Sequence, residues 1–426
     1  MYSSFKYFAF LFLWTLSFSA FSQSGNSPYS RIGLGEVSLQ GTIHNNAMGG
    51  IGVSNASTAH VNLLNPALLT YNRSTVFEAA YNFEYKVLQN ATDRQSATFG
   101  NIGYFAFAFP VTKRWTTGVG LLPYSTVNYS NVAEERIPNS PAFIDYSYKG
   151  SGGMTQVYFS NGVRFFESLS LGLRINYNFG AIRNQSLSHV DEGSNTYSIE
   201  LLDRTTFGDF SFESGIAWQQ KLGEKMRLNV GATYAWTQDV NFQQFRALQK
   251  RRFASDIIVY SDTLTNNQRG SVRLPENYKF GLSLSKEGKF TVGADVAMAK
   301  WSQFERFNTR EPLSNTIRYS VGAEWTPESN PSPGDGIFKV ASYRLGFSTA
   351  QLPMVVEGIQ LSEQSVSFGG AFPLRITSPF ERGIVNLAVT LGQRGTTDQN
   401  LIRENFVRVS LGATINNIWF IKRRLD

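Results

Sequence analysis

The sequence predicts an all-β fold: a transmembrane antiparallel β-barrel of about fourteen strands, with an N-terminal hatch inside the lumen. Three observations carry this. Apolar and polar residues alternate with period two over stretches much longer than the ~5–6 residues usual for soluble strands. Charged residues make up only 17% of the 426 and aromatic residues 14%, whereas roughly 25% charge is ordinary for a soluble domain. After the first segment, no run approaches the ~18 consecutive apolar residues of a spanning helix.

In chain order, residues 1–22 read as a signal peptide. A single cation, Lys6, precedes the apolar run Tyr7 to Trp14, and Ala20 and Ser22 obey the small-x-small rule for cleavage, which places the cut after Ser22. The mature N-terminus is then expected on the periplasmic side. Residues 23–73 lack sustained alternation and are too apolar for a linker: Ala47 to Val53 reads A-M-G-G-I-G-V, and Leu63 to Leu69 reads L-L-N-P-A-L-L. Such a segment belongs inside a barrel mouth, as a hatch. Residues 74–416 form the barrel and 417–426 a basic tail.

The barrel strands show their two faces directly. Leu169, Leu171, Leu173, Ile175, Tyr177 and Phe179 share one face, and Ser170, Gly172, Arg174, Asn176 and Asn178 share the other. Leu228 to Trp236, Phe290 to Met298, Val385 to Leu391 and Val407 to Ala413 repeat the pattern. Strands are expected near 74–86, 97–111, 113–125, 151–167, 168–184, 205–221, 226–241, 273–286, 289–303, 315–326, 338–350, 362–373, 382–394 and 403–416. Tight turns such as 112–114 and 222–225 alternate with long polar stretches at 126–150, 185–204 and 242–272, read as loops. Short turns on one side and long loops on the other mark an outer-membrane barrel with its short side periplasmic. Trp115, Trp218, Trp236, Trp301, Trp325 and Trp419 lie near strand ends and form a candidate aromatic girdle.

If the apolar face meets lipid, the inner face carries Glu78, Arg164, Arg174, Asp209, Glu213, Arg227, Lys279, Asp295, Arg318, Glu324, Arg344 and Arg408. Both signs occur, so a packed interior is expected rather than an open pore of one polarity. The second and third strands differ. Their inner positions, Tyr104, Ala106, Ala108, Gly118, Gly120 and Leu122, are small or apolar and make a candidate pocket for a hydrophobic ligand; equally, they serve as backing for the hatch. Pro123 cannot donate to a ladder and marks a bend or edge, a candidate side opening.

The hatch Ala47 to Val53 followed by Asn65-Pro66-Ala67, the Gly118-x-Gly120 strand leading into Leu122-Pro123-Tyr124, and the fourteen-strand pattern together resemble the FadL-type outer-membrane transporters (OMPP1/FadL/TodX-like). The opening Ser27 to Gly35 and the Trp419 to Arg423 close resemble an envelope branch of that family related to barrels of type IX secretion. The resemblance implies passive uptake of hydrophobic compounds such as long-chain fatty acids, with exit sideways past a hatch near strand 3. By position it assigns substrate binding to Tyr104, Ala106, Ala108, Gly118, Gly120, Leu122 and Pro123. It assigns the hatch to Met48, Gly49, Gly50, Leu63, Leu64, Asn65, Pro66, Ala67 and Leu68, Leu68 standing where the family usually has Gly. The alternative it implies is a non-transporting barrel that docks or shuttles a secretion partner.

An enzyme is not expected. No Cys is present, and neither Gly-x-Ser-x-Gly nor His-Glu-x-x-His occurs. Of the three His, His44 and His60 fall in the hatch; His189 falls in a polar stretch beside Asp191 and Glu192, too sparse a donor set for a metal site. No cofactor is called for. The formal charge of +7, with Lys250-Arg251-Arg252 on an external stretch, points to lipopolysaccharide and outer-membrane lipid rather than nucleic acid.

Overall fold

The computed structural model describes residues 27–191, 197–328, 335–374 and 381–417. The segment read as a signal peptide, Glu192, Trp419 and the residues beyond 417 read as a basic tail lie outside the described residues. The wall is built from β1 (Thr75–Gln89), β2 (Arg94–Pro110), β3 (Trp115–Arg136), β4 (Phe143–Arg164), β5 (Leu169–Asp191), β6 (Tyr197–Leu222), β7 (Met226–Ala235, resuming as Gln238–Arg252), β8 (Ile257–Leu274, resuming as Asn277–Lys286), β9 (Phe290–Ala299), β10 (Thr316–Trp325), β11 (Ser342–Val356), β12 (Ile359–Leu374), β13 (Glu381–Arg394) and β14 (Arg403–Asn417). Each pairs antiparallel with the next. β14 closes on β1 from Arg403 opposite Gln89 to Asn417 opposite Thr75. The fold is the expected fourteen-strand barrel.

The period-two pattern sorts side chains as a membrane requires. On β1, Phe77, Tyr81, Phe83 and Tyr85 are exposed while Glu78, Glu84 and Lys86 are buried in the lumen. The same outward apolar face continues through Leu171 and Leu173, Phe280 and Leu282, Val321, Phe347, Phe368 and Leu411. A belt this wide exceeds any patch a soluble monomer tolerates and is the lipid-facing surface of an outer-membrane barrel. Trp115, Trp218 and Trp325 are exposed at the periplasmic ends of β3, β6 and β10, where an amphipathic ring suits the interface. Trp301 does not belong to the girdle: it is 5% exposed and packs inside the lumen against Phe304.

The three stretches read as long loops are β-ladder over nearly all their described length. Arg136 stands opposite Phe143, His189 opposite Ser198, and Arg252 opposite Ile257. The alternation that reveals a strand inside the bilayer fades above it, because water reaches both faces; Ile257 to Leu264 are all exposed. β6 is therefore 26 residues long. At ~3.3 Å per residue and a tilt of ~40° it rises ~65 Å, well beyond an apolar band ~25 Å tall. β3 to β8 thus form a tall ridge on the side opposite the flush turns, which makes the ridge extracellular. The strand read at 273–286 is the lower part of β8, interrupted at Pro275 and Glu276, where proline has no N–H to give.

The segment from Ser27 to Ser74 fills the lumen. Ser27 N donates to Asn128 O on β3 at 3.0 Å, and its hydroxyl bonds Glu404 near the upper end of β14. Ser27 therefore stands towards the extracellular end of the lumen; the expected periplasmic start of the mature chain, at Gln23, lies outside the described residues. The chain then descends. Pro28–Arg31 makes a 3-10 turn, Glu36–Val37 makes a two-residue strand, and Ile43–Asn46 makes one helical turn closed by a reciprocal Thr42–Asn45 capping box. Asn65 caps the 3-10 turn Pro66–Tyr71 by accepting from Ala67 N at 3.0 Å. The wall makes room with glycine: a Cβ on Gly172 would lie 2.2 Å from Ala67 N, and one on Gly322 2.2 Å from Met48 O. Inward glycines here are the seat of the hatch backbone.

Candidate functional site

β2 and β3 share only a short ladder, from Phe105 opposite Leu121 to Pro110 opposite Thr116. Above it, β2 continues to Arg94 on β1 alone and β3 continues to Arg136 on β4 alone. The wall is open between them. Pro123 sits at the start of this gap, beside a register shift between Pro123 and Ser125, as expected of a residue that cannot complete a ladder. From within, the hatch covers part of the exposed β3 edge: Glu36 pairs with Thr126, Val37 with Ser125, and Ser38 N donates to Tyr124 O at 2.9 Å.

Two cavities flank this hatch strand. The smaller, about 120 Å³, reaches the gap and is lined by Phe99, Asn101, Gly103 and Tyr104 of β2 and by Leu122, Pro123 and Thr126 of β3. The larger, about 230 Å³, lies between Gly50, Val53 and Leu64 of the hatch and Phe212, Trp236, Met298 and Trp301 of the far side. Val37, Ser38, Leu39, Gln40, Leu352 and Pro353 border both. The segment Val37 to Gln40 is thus a partition. Above the larger cavity, Leu34 of the hatch packs with Val127, Phe207, Val240, Phe242, Val272 and Phe304 into a dry layer.

A charged cluster anchors the partition. Lys86, fully buried, lies 3.0 Å from both Glu36 and Glu84 and 3.5 Å from Glu404. Arg394 reaches Glu36 at 2.8 Å and Glu363 at 2.6 Å, Arg318 reaches Glu363 at 3.2 Å, and Arg408 holds Glu84. Burial alone would raise the Glu36 pKa, but Arg394 and Lys86 outweigh it and hold the carboxyl well below its ordinary range. Four cations face four carboxylates, so the cluster neutralises itself.

A second cluster ties hatch to wall lower down. Asp295 accepts from Gly52 N at 2.7 Å and Val53 N at 2.9 Å. His60 Nδ1 lies 3.1 Å from Glu78 Oε1, His44 Nδ1 lies 3.5 Å from Glu324, and the two imidazoles stand 4.9 Å apart. Burial first, then Arg344 and His60, hold the His44 pKa well below its ordinary value.

The residues singled out in the sequence divide into two groups. Tyr104, Leu122 and Pro123 border the cavity at the gap. Ala106 and Ala108 lie buried against the hatch in one core with Ile43, Val61, Leu63 and Leu69; Gly118 faces Leu69, and Tyr158 occupies the space beside Gly120. The first three back the hatch, and Gly120 backs Tyr158 of β4, which belongs to the same core. Of the hatch positions, Gly50 and Leu64 border the larger cavity. Met48, Gly49, Leu63, Asn65, Pro66, Ala67 and Leu68 are buried between hatch and wall, with Asn65 Nδ2 donating to Val53 O at 2.8 Å and Ile216 O at 3.0 Å. Reading the sequence missed Glu36 to Gln40 and the inner charges Glu84, Lys86, Glu363, Arg394 and Glu404. The charges sit at inward positions that the same alternation marks. Glu36 to Gln40 carries no such mark, since a five-residue stretch shows no period. Arg227, at an inward position near the periplasmic end of β7, pairs with Glu287 of the adjoining turn. His189 is no loop residue: it lies on β5, stacked 3.7 Å from the Phe253 ring.

Among protein families, the BamG model matches residues 4–426. The chain belongs to the BamG family. No curated protein matches it. Among solved structures, this BamG-family barrel is similar to the CymD monoaromatic hydrocarbon channel, with 16% identity over 90% of this chain and 98% of that one and a TM-score of 0.56. It is similar to the Pseudomonas putida toluene transporter TodX, with 14% identity over 88% and 97% and a TM-score of 0.56. To a Pseudomonas aeruginosa FadL homologue the identity is 11% over 87% and 96%, with a TM-score of 0.54. At these identities the likeness is one of fold: a FadL-type outer-membrane barrel.

Proposed function

We propose that this BamG-family barrel passes small hydrophobic compounds across the outer membrane, releasing them sideways between β2 and β3. The observation that carries the reading is a cavity lying where the two strands part, bordered on the strand side by Phe99, Tyr104, Leu122 and Pro123 and on the inner side by the self-neutralised Glu36, Glu84, Arg394 and Arg408. An apolar molecule leaving there enters the membrane without crossing water, gaining ~0.8 kcal/mol per CH₂ kept buried. CymD is a monoaromatic hydrocarbon channel and TodX a toluene transporter, and the same fold here supports a ligand of that kind.

Two features narrow the ligand. The two cavities are each smaller than the ~300–1,000 Å³ usual for ligand pockets, so a long acyl chain requires Val37 to Gln40 to move and join them. The cations bordering the two cavities, Lys279, Arg318, Arg394 and Arg408, are already paired with Glu213, Glu363, Glu36 and Glu84, so a carboxylate headgroup there competes with an existing partner. An uncharged apolar ligand fits better than a fatty acid. The decisive experiment compares transfer of labelled toluene and labelled palmitate into cells with and without the gene. Faster toluene transfer with the protein supports the reading; equal rates for both compounds in both strains reject it.

A further inference from the structure

A row of small inward residues crosses the wall at one level. Ser283 of β8 stands opposite Gly293 of β9, Gly293 opposite Gly322 of β10, and Gly322 opposite Gly346 of β11. On the lumen side the glycines seat the hatch: a Cβ on Gly293 would lie 3.1 Å from Ile51, and one on Gly322 2.2 Å from Met48 O. The same row borders a groove of about 650 Å³ whose other walls are outward side chains, among them the exposed Leu282, Val292, Val321, Leu345 and Phe347. At these three glycines only the backbone of the wall separates hatch from groove.

The groove arises from a step in side-chain size. Ala294 and Ala323 are short members of the outward face, set among Leu282, Leu284, Leu345 and Phe347. Its volume falls within the ~300–1,000 Å³ usual for a ligand site, which neither lumen cavity reaches. Left empty, its walls would forfeit dispersion contacts. The groove is continuous with the lipid-facing belt through exposed Phe280 and Phe368, so membrane hydrocarbon reaches it without the help of another chain.

Its level and one cation narrow the occupant. Val292 is two residues from the start of β9 at Phe290, and Ala323 two from the end of β10 at Trp325. At ~3.3 Å per residue and a tilt of ~40°, the groove begins ~5 Å above the periplasmic ends of the strands, in the lower half of an apolar band ~25 Å tall. Lipopolysaccharide occupies the other leaflet. One step nearer the periplasm, Lys286 stands opposite Phe290, Phe290 opposite Trp325, and Trp325 opposite Tyr343. By period two Lys286 shares the outward face of Leu282 and Leu284. It makes no ion pair among the described residues, and the neighbouring Glu287 is held by Arg227 at 2.6 Å. An unpaired ammonium thus stands below the groove, at the level where aromatic rings mark the interface.

We infer that the groove holds one acyl chain of a phospholipid of the periplasmic leaflet, with the phosphate of that lipid on Lys286. The hydrocarbon fills the hollow over Ala294 and Ala323, the ammonium balances the phosphodiester, and the chain lies against the outer side of the glycines that seat the hatch. The inference does not rest on the uptake reading.

The test extracts the full-length protein from its own outer membrane in mild detergent and follows bound lipid by native mass spectrometry while washing strips loosely held lipid. Ala294→Leu and Ala323→Leu fill the groove, Lys286→Glu sets a like charge before the phosphate, and Val407→Leu on lipid-facing β14 is the control. Heat-modifiable migration checks that each barrel is folded. The expected result is one tightly retained phospholipid in the parent and in Val407→Leu, lost in the groove-filling variants and in Lys286→Glu. If both leucine variants fail to fold, the smaller Ala323→Val takes their place, and Lys286→Glu at the rim reads the headgroup independently. No retained phospholipid in the parent, retention unchanged in the folded groove variants or in Lys286→Glu, or a lipid A species, a second copy or another protein held there instead overturns the proposal.

Discussion

Gly346 of β11 faces the backbone amide of Gly49 so closely that a Cβ on Gly346 would lie 2.0 Å from that nitrogen. Neither partner has anywhere to move: Gly49, at φ +71°, is itself pressed against Phe347, and its N–H donates to Ser367 Oγ at 2.9 Å. Hatch and wall are fitted backbone to backbone. Gly346→Val is therefore expected to lift the hatch from its seat, at a cost of about 1–3 kcal/mol typical of overpacking. Limited trypsin digestion checks it: cleavage at Arg31 should quicken in the variant while the barrel core stays protected.

Lys86 is expected to be the most sensitive of the buried charges. It is fully enclosed and serves Glu36, Glu84 and Glu404 together. Lys86→Met leaves three buried carboxylates short of a cation, and removing one member of such a group costs about 3–5 kcal/mol. The midpoint of urea unfolding in detergent should fall accordingly, and Glu36→Gln made in the Lys86→Met background should recover part of the loss.

Asp295 joins the wall to the hatch through the N–H groups of Gly52 and Val53. Asp295→Ala strands two buried donors at about 1–3 kcal/mol each, whereas Asp295→Asn keeps one acceptor oxygen and should cost less. Hydrogen exchange at Gly52 and Val53 separates the variants: fast in alanine, intermediate in asparagine, slow in the parent.

Acid should loosen the hatch through His44. Its imidazole is surrounded by Arg344, His60 and Glu324, with Glu78 beyond His60. The seated hatch holds it neutral, with a pKa well below the ordinary 6.5. A released hatch binds a proton near that ordinary value, so stability is complete above it and falls as pH drops towards the lowered one. The expected slope is about a tenfold change in the seating equilibrium per pH unit. Trypsin access at Arg31 between pH 7 and pH 5 measures it, and His44→Gln should flatten the profile.

Val37 and Ser125 are opposed across the hatch strand and β3. Opposed Cα atoms in an antiparallel pair stand ~4.5–5.5 Å apart, within the ~4.4–6.8 Å a disulfide spans, and the chain has no native cysteine to interfere. In a Val37→Cys, Ser125→Cys protein, oxidation should pin the partition and suppress toluene transfer several-fold, and reduction should restore it. Transfer that is the same oxidised and reduced would show that ligand does not pass this segment.

The amino-acid order alone determined the barrel, its fourteen passes and which side chains face lipid, because inside a bilayer a strand has one apolar and one polar neighbour and period two records both. It also marked Pro123 as a break, since a missing N–H is a property of the residue itself. Tertiary structure decided the rest. Ala106, Ala108, Gly118 and Gly120 are small on paper whether they border a void or a hatch; only the packing of Leu69 and Tyr158 against them shows which. The ridge strands were illegible because water on both faces of Ile257 to Leu264 erases the pattern that reveals a strand elsewhere. The partition at Glu36 to Gln40 owes its place to partners as distant in sequence as Arg394, a closeness created only when the last strand closes on the first.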